Sequence, residues 1–321
     1  MSPKSDEPTS KPSEQGTSKG EEASKEGSKK KDEPKEEELS EEDKQLKEEL
    51  DLCVTRLQED DATLYPGALQ SLRTLIRAST TSMTSVPKPL KFMIPHYEAM
   101  KEAFDKLDNN NPVVKKECAD IVSILSMTMS DKNDCLRYKL LGHTDRENIE
   151  AWGHEYIRHL SGEIVSDWNE IGDPDKEVEE QVAGADVEMA DSEKKSQLTD
   201  LVKQIIPSQM KHHAESEACD LLMEVERLDL LEEYVDKNSF GRVCLYLTSC
   251  VAYVPDPENT NLLKTSLSIF RKFEQFPQAI RLALQLNDHQ LVKEIFMECK
   301  DGILQKQLAF MLGRSVILKS K

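Results

Sequence analysis

Apolar residues recur at the three- and four-residue spacing of an α-helix through most of the chain after residue 40. The first series contains Leu46, Leu50, Val54 and Leu57. Residues at this spacing share one face of a helix, so each series predicts an element with one buried side. We expect the first helix to begin at Ser40, because its hydroxyl can accept a hydrogen bond from a free backbone N–H in the first turn.

The stretch "TSMTSVPKPLKF", residues 81–92, separates two of these series. It follows a helix predicted at about 64–78 and precedes one that we expect to resume near Pro89. Hydroxyl side chains compete for backbone hydrogen bonds, and each proline disfavours helix in the residue before it. We interpret the stretch as a structured connector, with phosphorylation of Ser79 as the alternative.

The remaining series predict further helices in quick succession. We expect them at about 89–107, around 121–129, at 148–170, around 198–206, and at 215–229, 240–253, 259–273, 276–286, 288–300 and 302–312. The run "VCLYLTSCVAYV" also resembles a strand, but its helical neighbours favour a buried helix. Asn287 and Gln290 form a plausible cap pair. Short helices joined by short turns predict an all-α fold, an α-solenoid of antiparallel helix pairs.

Two segments lack this periodicity and carry dense charge instead. Residues 1–39 are rich in Lys, Glu, Ser and Pro, and residues 172–196 are mainly acidic. Such segments bury too little apolar surface to offset the loss of chain entropy on folding. We therefore predict a disordered charged tail at 1–39, an N-terminal helical region at 40–171, an acidic flexible linker at 172–196 and a helical-repeat region at 197–314.

Charge and cysteine content narrow the class of protein. The formal net charge of −19 opposes binding to nucleic-acid phosphates, so we expect no nucleic-acid partner. No apolar run approaches the length needed to span a bilayer, and we expect no membrane partner. The chain contains seven cysteines and no CxxC pair, which favours a reducing, intracellular compartment.

The sequence "HEYIRH" suggests a zinc hydrolase motif formed by His154, Glu155 and His159. Its histidines are five residues apart, so on a regular helix they diverge by about 140° and cannot bind one ion together. Helix-surface histidines are the alternative that we favour.

Two other pairs of residues are candidate sites. The adjacent His212 and His213 lack a nearby set of further metal ligands, which favours a solvated turn. Cys244 and Cys250 lie among apolar residues, which favours buried thiols over a redox pair. No P-loop, dinucleotide-binding glycine pattern or GxSxG motif occurs. We expect no enzymatic activity and assign no catalytic, cofactor-binding or metal-binding residue, and no cofactor.

Several longer strings carry a family resemblance. They include "LSEEDKQLKEELDLCVTRLQE", "STTSMTSVPKPLKF", "WGHEYIRHLSGEI", "EACDLLMEVERLDLLE" and "VCLYLTSCVAYVPDPEN". They resemble the N-terminal third of the family of 26S proteasome non-ATPase regulatory subunit 2, the large scaffold of the base of the regulatory particle. The likeness covers residues 39 to about 314.

The resemblance implies a non-catalytic scaffold in the cytoplasm and nucleus that docks on the proteasomal ATPase subunits and other regulatory particle subunits. In the family, a toroid of proteasome/cyclosome repeats also presents helices to ubiquitin, ubiquitin-like shuttle factors and a deubiquitinase. After "QKQLAFMLGR" this chain continues with "SVILKSK", residues 315–321, where relatives continue into the toroid. We expect the toroid and its binding sites to be absent. An independent helical adaptor without proteasome partners is the alternative function, with a metal-dependent hydrolase as a distant third.

The pattern in the helix predicted at 276–286 generates a test. Ile280 and Leu284 lie on its apolar face. Replacing either with Asp should bury a charge and unfold the C-terminal helices, lowering the free energy of unfolding by about 3 kcal/mol or more. Thermal unfolding followed by circular dichroism measures the effect, and an unchanged melting temperature would show that the wrong face was predicted.

Overall fold

A computed structural model describes residues 40–59, 61–80, 86–107, 111–129, 134–171 and 184–319. The predicted tail at 1–39, residues 172–183 of the predicted linker and residues 81–85 of the connector lie outside the described residues. Within the described ranges the chain is all-α, with helices, short 3₁₀ turns and loops and no β-strand. None of the described helices combines the length and the apolar character needed to cross a membrane.

The helices follow one another with short turns. Their bounds are α1 Glu41–Gln58, α2 Tyr65–Thr80, α3 Lys88–Met93, α4 Tyr97–Lys106, α5 Pro112–Ser126, α6 Asp134–Leu141, α7 Arg146–Glu150, α8 His154–Glu170, α9 Gly184–Lys211, α10 Glu215–Glu224, α11 Leu231–Tyr234, α12 Phe240–Cys250, α13 Glu258–Lys272, α14 Phe276–Gln285, α15 His289–Glu298 and α16 Gly302–Lys319. Neighbours in sequence pack against each other, which is the arrangement of an α-solenoid built from antiparallel helix pairs. The predicted fold class is confirmed.

Local sequence signals explain several helix starts. The hydroxyl of Ser40 accepts a hydrogen bond from the backbone N–H of Asp43 at 3.2 Å, as predicted. Pro89 lies in the first turn of α3, where its missing N–H has no helical partner to lose. The run that also resembled a strand forms α12 and the turn after it.

Two predicted helices are interrupted. Gly153, with φ of 88°, separates α7 from α8 inside the helix predicted at 148–170, because this backbone conformation is outside the range of a helical L-residue. Pro95 lies in a 3₁₀ turn, Ile94–His96, between α3 and α4. A proline inside a helix removes one backbone hydrogen bond, which accounts for the change of helix type there.

The predicted linker boundary also differs from the structure. Helix α9 begins at Gly184, so residues 184–196 are helical rather than irregular. Lysines in this part of α9 have partners on α8: Lys194 Nζ lies 2.9 Å from Asp167 Oδ2, and Lys195 Nζ lies 5.3 Å from the centre of the Trp168 ring. Local composition predicts a solvated segment, and contacts with the preceding helix α8 stabilise a helical one instead.

Two apolar clusters form the core. The first begins at Leu50 in α1 and continues through consecutive helices to Ile269 in α13. The second joins α13 to α16 and contains Leu267, Ile280 and Leu308. Helix α13 contributes to both because it has apolar side chains on two faces. Ile280 is fully buried and Leu284 is half-buried against the second cluster, so the apolar face predicted for α14 is the one that packs.

Helix α5 is the most enclosed element of the N-terminal part. Every residue from 118 to 126 is buried, including polar ones, and α2, α4 and α6 pack around it. This agrees with the expectation of a central helix around 121–129. A helix surrounded in this way can have polar side chains only where other residues satisfy them.

Four helices end in the same backbone motif. The second residue after the helix has positive φ, at His213 (60°), Glu226 (54°), Glu274 (56°) and Asn287 (57°). In each case the next residue donates its N–H to the carbonyl five residues back, at 2.8 to 3.1 Å. This is the Schellman motif, in which the left-handed residue reverses the chain. It recurs between consecutive helices and brings them together as antiparallel pairs.

The motif also corrects the predicted cap of α15. Asn287 is the left-handed residue that ends α14, and Asp288 is the N-cap, whose carboxylate accepts the N–H of Leu291 at 2.9 Å. Asparagine tolerates the left-handed conformation better than most residues, which suits this position.

Glu274 has the left-handed conformation without the advantage of asparagine or glycine. We expect Glu274→Gly to raise the free energy of unfolding by up to about 1 kcal/mol, because glycine removes the crowding between Cβ and the backbone. Urea denaturation measures the change. Asn287→Gly is the matched control and should gain less, and an equal or lower stability for Glu274→Gly would contradict this account of the turn.

Candidate functional site

The described end of the connector is docked on the first helix. Lys88 Nζ lies 2.8 Å from both carboxylate oxygens of Asp43, and this ion pair lowers the pKa of Asp43. Pro89 and Leu90, the next two residues of α3, are buried. Ser79, at the other side of the connector, donates its hydroxyl to the carbonyl of Ile76 at 2.7 Å. The described residues on both sides of 81–85 thus bond within the helical body, and the prediction of a structured connector stays untested for residues 81–85.

The histidines of "HEYIRH" point to different neighbours. His154 Nε2 lies 3.3 Å from a carboxylate oxygen of Glu217 in α10, whereas His159 Nε2 lies 3.0 Å from Glu163 Oε1 in its own helix. The divergence predicted from their spacing is therefore observed. Glu155 is exposed at the surface of α8 and does not join them.

The structure instead brings His159 to two residues that sequence analysis missed. Cys135 of α6, His159 and Glu163 each offer a ligand atom, and these three atoms lie within 4.8 Å of one another. His159 and Glu163 are four residues apart, which places them on one face of a helix, and this spacing could have been recognised in the sequence. Cys135 is 24 positions before His159 in a different helix, so no local motif links it to the pair.

His213 belongs to a small ionic cluster rather than to a pair with His212. Its Nδ1 lies 3.7 Å from Glu215 Oε1 and 3.4 Å from Arg242 Nη2. Arg242 donates from Nε to Glu215 at 3.0 Å, and Glu215 is almost fully buried. Burial raises the pKa of Glu215, but the bonds to Arg242 outweigh that effect and leave the pKa lowered overall. A guanidinium this close to the imidazole opposes a metal ion at His213.

The same cluster borders a surface groove of about 320 Å³, which Pro207 and Tyr234 also line. It contains charged and polar groups that already bond to one another. These residues join α9, α10 and α12, so the cluster contributes to the packing of that part of the solenoid.

The two cysteines of α12 differ in burial. Cys244 is fully buried, and its thiol lies 3.7 Å from the carbonyl oxygen of Ser266. Burial raises the pKa of Cys244 to about 12, which keeps the thiol protonated and unreactive at neutral pH. Cys250 is only half-buried. Cys244 therefore acts as the small hydrophobe that its surroundings predicted.

A buried ionic centre joins α5 to α6 and the loop after it. Lys139 and Asp120 are 0% and 1% exposed, and Lys139 Nζ lies 2.9 Å from Asp120 Oδ1. The second oxygen of Asp120 lies 2.7 Å from His143 Nδ1, and the backbone N–H of His143 donates to Oδ1 at 3.2 Å. Burial lowers the pKa of Lys139, while the carboxylate of Asp120 acts in the opposite direction. Each charge is thus buried together with its partners, as such groups require.

Gly142 is the residue that allows this close approach. A Cβ at this position would lie 2.5 Å from Asp120 Oδ1. The backbone of Gly142 does not have positive φ, so space rather than conformation restricts the position. A side chain here would displace the carboxylate from Lys139 and His143.

Several large apolar side chains are exposed on the outer surfaces of the C-terminal helices. They are Leu245, Tyr253, Met297, Ile303 and Phe310, each more than 65% exposed. Singly exposed apolar residues are common on monomeric proteins. Ile303 and Phe310, however, are seven residues apart on α16 and therefore share one face of that helix. These side chains are the most exposed of the large apolar residues in the described part of the chain.

In a comparison with known protein families, residues 50–320 match the family described as the RPN1 N-terminal domain. The matched segment includes α2 to α16 and the second half of α1. It also passes residue 314, beyond which we expected the likeness to end.

Curated relatives agree with this family. The chain is 42% identical over 274 residues to 26S proteasome non-ATPase regulatory subunit 2 homolog A of Arabidopsis thaliana, covering 85% of this chain and 28% of the relative. It is 40% identical over 279 residues to 26S proteasome non-ATPase regulatory subunit 2 of Dictyostelium discoideum, covering 86% and 29%. For 26S proteasome regulatory subunit rpn-1 of Neurospora crassa the identity is 40% over 278 residues, covering 86% and 28%. The chain therefore spans less than a third of the length of these relatives.

Gly142 provides a test of the buried ionic centre. We expect Gly142→Ala to lower the free energy of unfolding by about 1–3 kcal/mol, because the added methyl group overpacks the site against Asp120. Chemical denaturation measures the loss. The control is Gly162→Ala in α8, where a Cβ meets no atom within 4 Å and helix propensity predicts a gain of up to about 1 kcal/mol. A neutral Gly142→Ala variant would show that the carboxylate can move without loss.

Proposed function

Since this chain belongs to the family of the RPN1 N-terminal domain, we propose that it acts as a non-catalytic scaffold segment of the base of the proteasome regulatory particle. The proposal rests on the match of residues 50–320 to that family. The chain is also about 40% identical to proteins named as regulatory subunits of the 26S proteasome. In this role the segment holds other proteasome subunits at set positions and supports ATP-dependent degradation of ubiquitinated proteins.

The packing of the helices supports a mechanical role. A nearly continuous apolar core from α1 to α13 restrains each helix against its neighbours. In stacked helix pairs of this kind each pair contacts its neighbours, and the stack presents extended surfaces for binding partners. A segment with these properties can keep two partners at a constant separation without changing shape.

The polar groups of the described residues support the non-catalytic part of the proposal. The ionic groups that were singled out are paired with one another: Lys139 with Asp120, His154 with Glu217, and Arg242 with Glu215. A general acid or base instead needs a group directed at a substrate with a pKa near the working pH. The buried thiol of Cys244, with a raised pKa, is likewise poorly suited to nucleophilic attack.

We propose the proteasomal ATPase subunits and other regulatory particle subunits as partners, and the cytoplasm and nucleus as the location. The exposed apolar side chains Leu245, Tyr253, Met297, Ile303 and Phe310 are candidate contacts, because aromatic and apolar anchors dominate the energetics of many interfaces. We assign no ubiquitin-binding or shuttle-binding residue to the described part of the chain.

The proposal is tested by placing the full chain in a relative. The matching segment of the Arabidopsis thaliana homolog A is replaced by this chain, and the tagged chimera is purified from cells that lack the endogenous subunit. We expect proteasomal ATPase subunits to be recovered in amounts comparable to those with the parent relative, measured by quantitative mass spectrometry.

Two matched variants test whether recovery of the ATPase subunits requires the inserted chain to be folded. Ile280→Asp introduces a charge at a fully buried position and should abolish recovery, whereas Arg281→Gln changes its exposed neighbour and should preserve it. A chimera that melts like the parent but recovers no ATPase subunits would refute the scaffold role. Recovery of other proteins alone would support an independent helical adaptor.

A further inference from the structure

The cluster of Cys135, His159 and Glu163 has a chemical composition that the scaffold role does not use. A thiol, an imidazole and a carboxylate converge from two helices, with their ligand atoms within 4.8 Å of one another. These are the three ligand types that zinc sites in proteins combine, whereas calcium and magnesium sites use oxygen ligands. We propose that Cys135, His159 and Glu163 bind one Zn²⁺ ion, with a water molecule as the fourth ligand.

The separations between the donor atoms suit this ion. Zinc–ligand bonds of about 2.0–2.3 Å in a tetrahedral site place neighbouring ligand atoms about 3–4 Å apart. His159 Nε2 and Glu163 Oε1 already lie 3.0 Å apart. Small side-chain rotations would bring Cys135 Sγ into the same shell, because it lies within 4.8 Å of both.

The surrounding groups orient the ligands. The backbone N–H of Leu136 donates to Glu163 Oε2 at 2.6 Å, which holds that carboxylate and leaves Oε1 for the ion. On the other side, Ser123 Oγ lies 3.5 Å from Cys135 Sγ and 2.6 Å from the hydroxyl of Tyr156. Hydrogen bonds to the groups behind the ligands are a regular feature of metal sites, where they set ligand orientation.

Burial gives the site both a closed and an open side. Cys135 is fully buried, and the side chain of Glu163 is only 10% exposed, so the ion would lie largely out of solvent. His159 is 38% exposed, and on its side water can reach the fourth position. The ion could enter by the same route without local unfolding of α6 or α8.

Binding would release one proton. The thiol of Cys135 loses its proton to solvent on forming the Zn–S bond, and neutral His159 binds through Nε2 as the tautomer with its proton on Nδ1, giving up its hydrogen bond with Glu163. The ion would link the first turn of α6 to the middle of α8. Zinc would thereby tie two helices of the N-terminal region together, which is a structural effect and does not depend on the proposed scaffold function.

Cobalt provides the direct test, because tetrahedral Co²⁺ is coloured and a thiolate ligand adds a sulfur-to-cobalt charge-transfer band. The purified, metal-stripped full chain is titrated with Co²⁺ and then with Zn²⁺. We expect one equivalent of Co²⁺ to produce both the tetrahedral visible bands and the charge-transfer band, and one equivalent of Zn²⁺ to remove them. Zn²⁺ should also raise the melting temperature.

Cys135→Ala and His159→Ala should each abolish the charge-transfer band and lower zinc affinity by more than about 100-fold, since even the loss of an outer-shell partner costs about 10–100-fold. Cys118→Ala and His154→Ala are matched controls and should bind like the parent. Cys118 is an equally buried thiol whose pKa burial also raises to about 12, and His154 is a half-exposed helix histidine with its own glutamate partner.

His159 is half-exposed, so the His159→Ala variant should keep its fold even if Cys135→Ala does not, and its melting temperature without metal checks this. Absence of the tetrahedral bands in the parent would overturn the proposal and leave a helix-surface His–Glu pair. Bands that persist in His159→Ala, or that disappear equally in the two controls, would also overturn it.

Discussion

Each helix of this protein buries one apolar face against its neighbours, and without that burial the helices would not be stable. Isolated helices as short as most of those in this protein are marginal in water, and packing of the apolar face supplies most of their stability. The core from Leu50 to Ile269 satisfies this requirement for the helices from α1 to α13, and the second cluster extends it to α16. Because α13 contributes to both clusters, a disturbance of the second can reach the first. The scaffold role that we propose rests on this mutual support.

The buried ionic centre has a different part in the fold. Removing Lys139 and Asp120 from water costs free energy that their attraction recovers only in part, so the pair is weak evidence for extra stability. The ionic centre requires a more exact geometry than apolar packing does. Gly142 must lie against the carboxylate of Asp120, and His143 must form the remaining hydrogen bond to that carboxylate. We therefore infer that the buried ionic centre fixes the position of α6 relative to α5. The neighbouring cluster of Cys135, His159 and Glu163 joins α6 to α8, and a metal ion there would extend the same restraint to a third helix.

The conformation of the turns depends both on the residues within them and on the packing of the helices that they connect. Four Schellman motifs reverse the chain between successive helices, and three of them have residues other than asparagine or glycine in the left-handed position. Such residues are strained locally by about 1–2 kcal/mol. The packing of the helices on both sides of each turn compensates for this strain. The position after a helix is therefore occupied by His213 or Glu226 without loss of the solenoid.

The helical class, the buried faces and the family could be predicted from the sequence, because each depends on spacing or on strings of residues that lie close together in the chain. The capping of α1 by Ser40 and the burial of Ile280 follow from such local patterns. Packing in three dimensions settled where helices break or persist against local preference, as at Gly153 and in the first part of α9. It also decided which polar groups meet: Cys135 reaches His159, and Asp120 reaches Lys139, across gaps in sequence that carry no periodic signal. Those encounters arise from the packing of whole helices, which the order of residues within any one helix does not reveal.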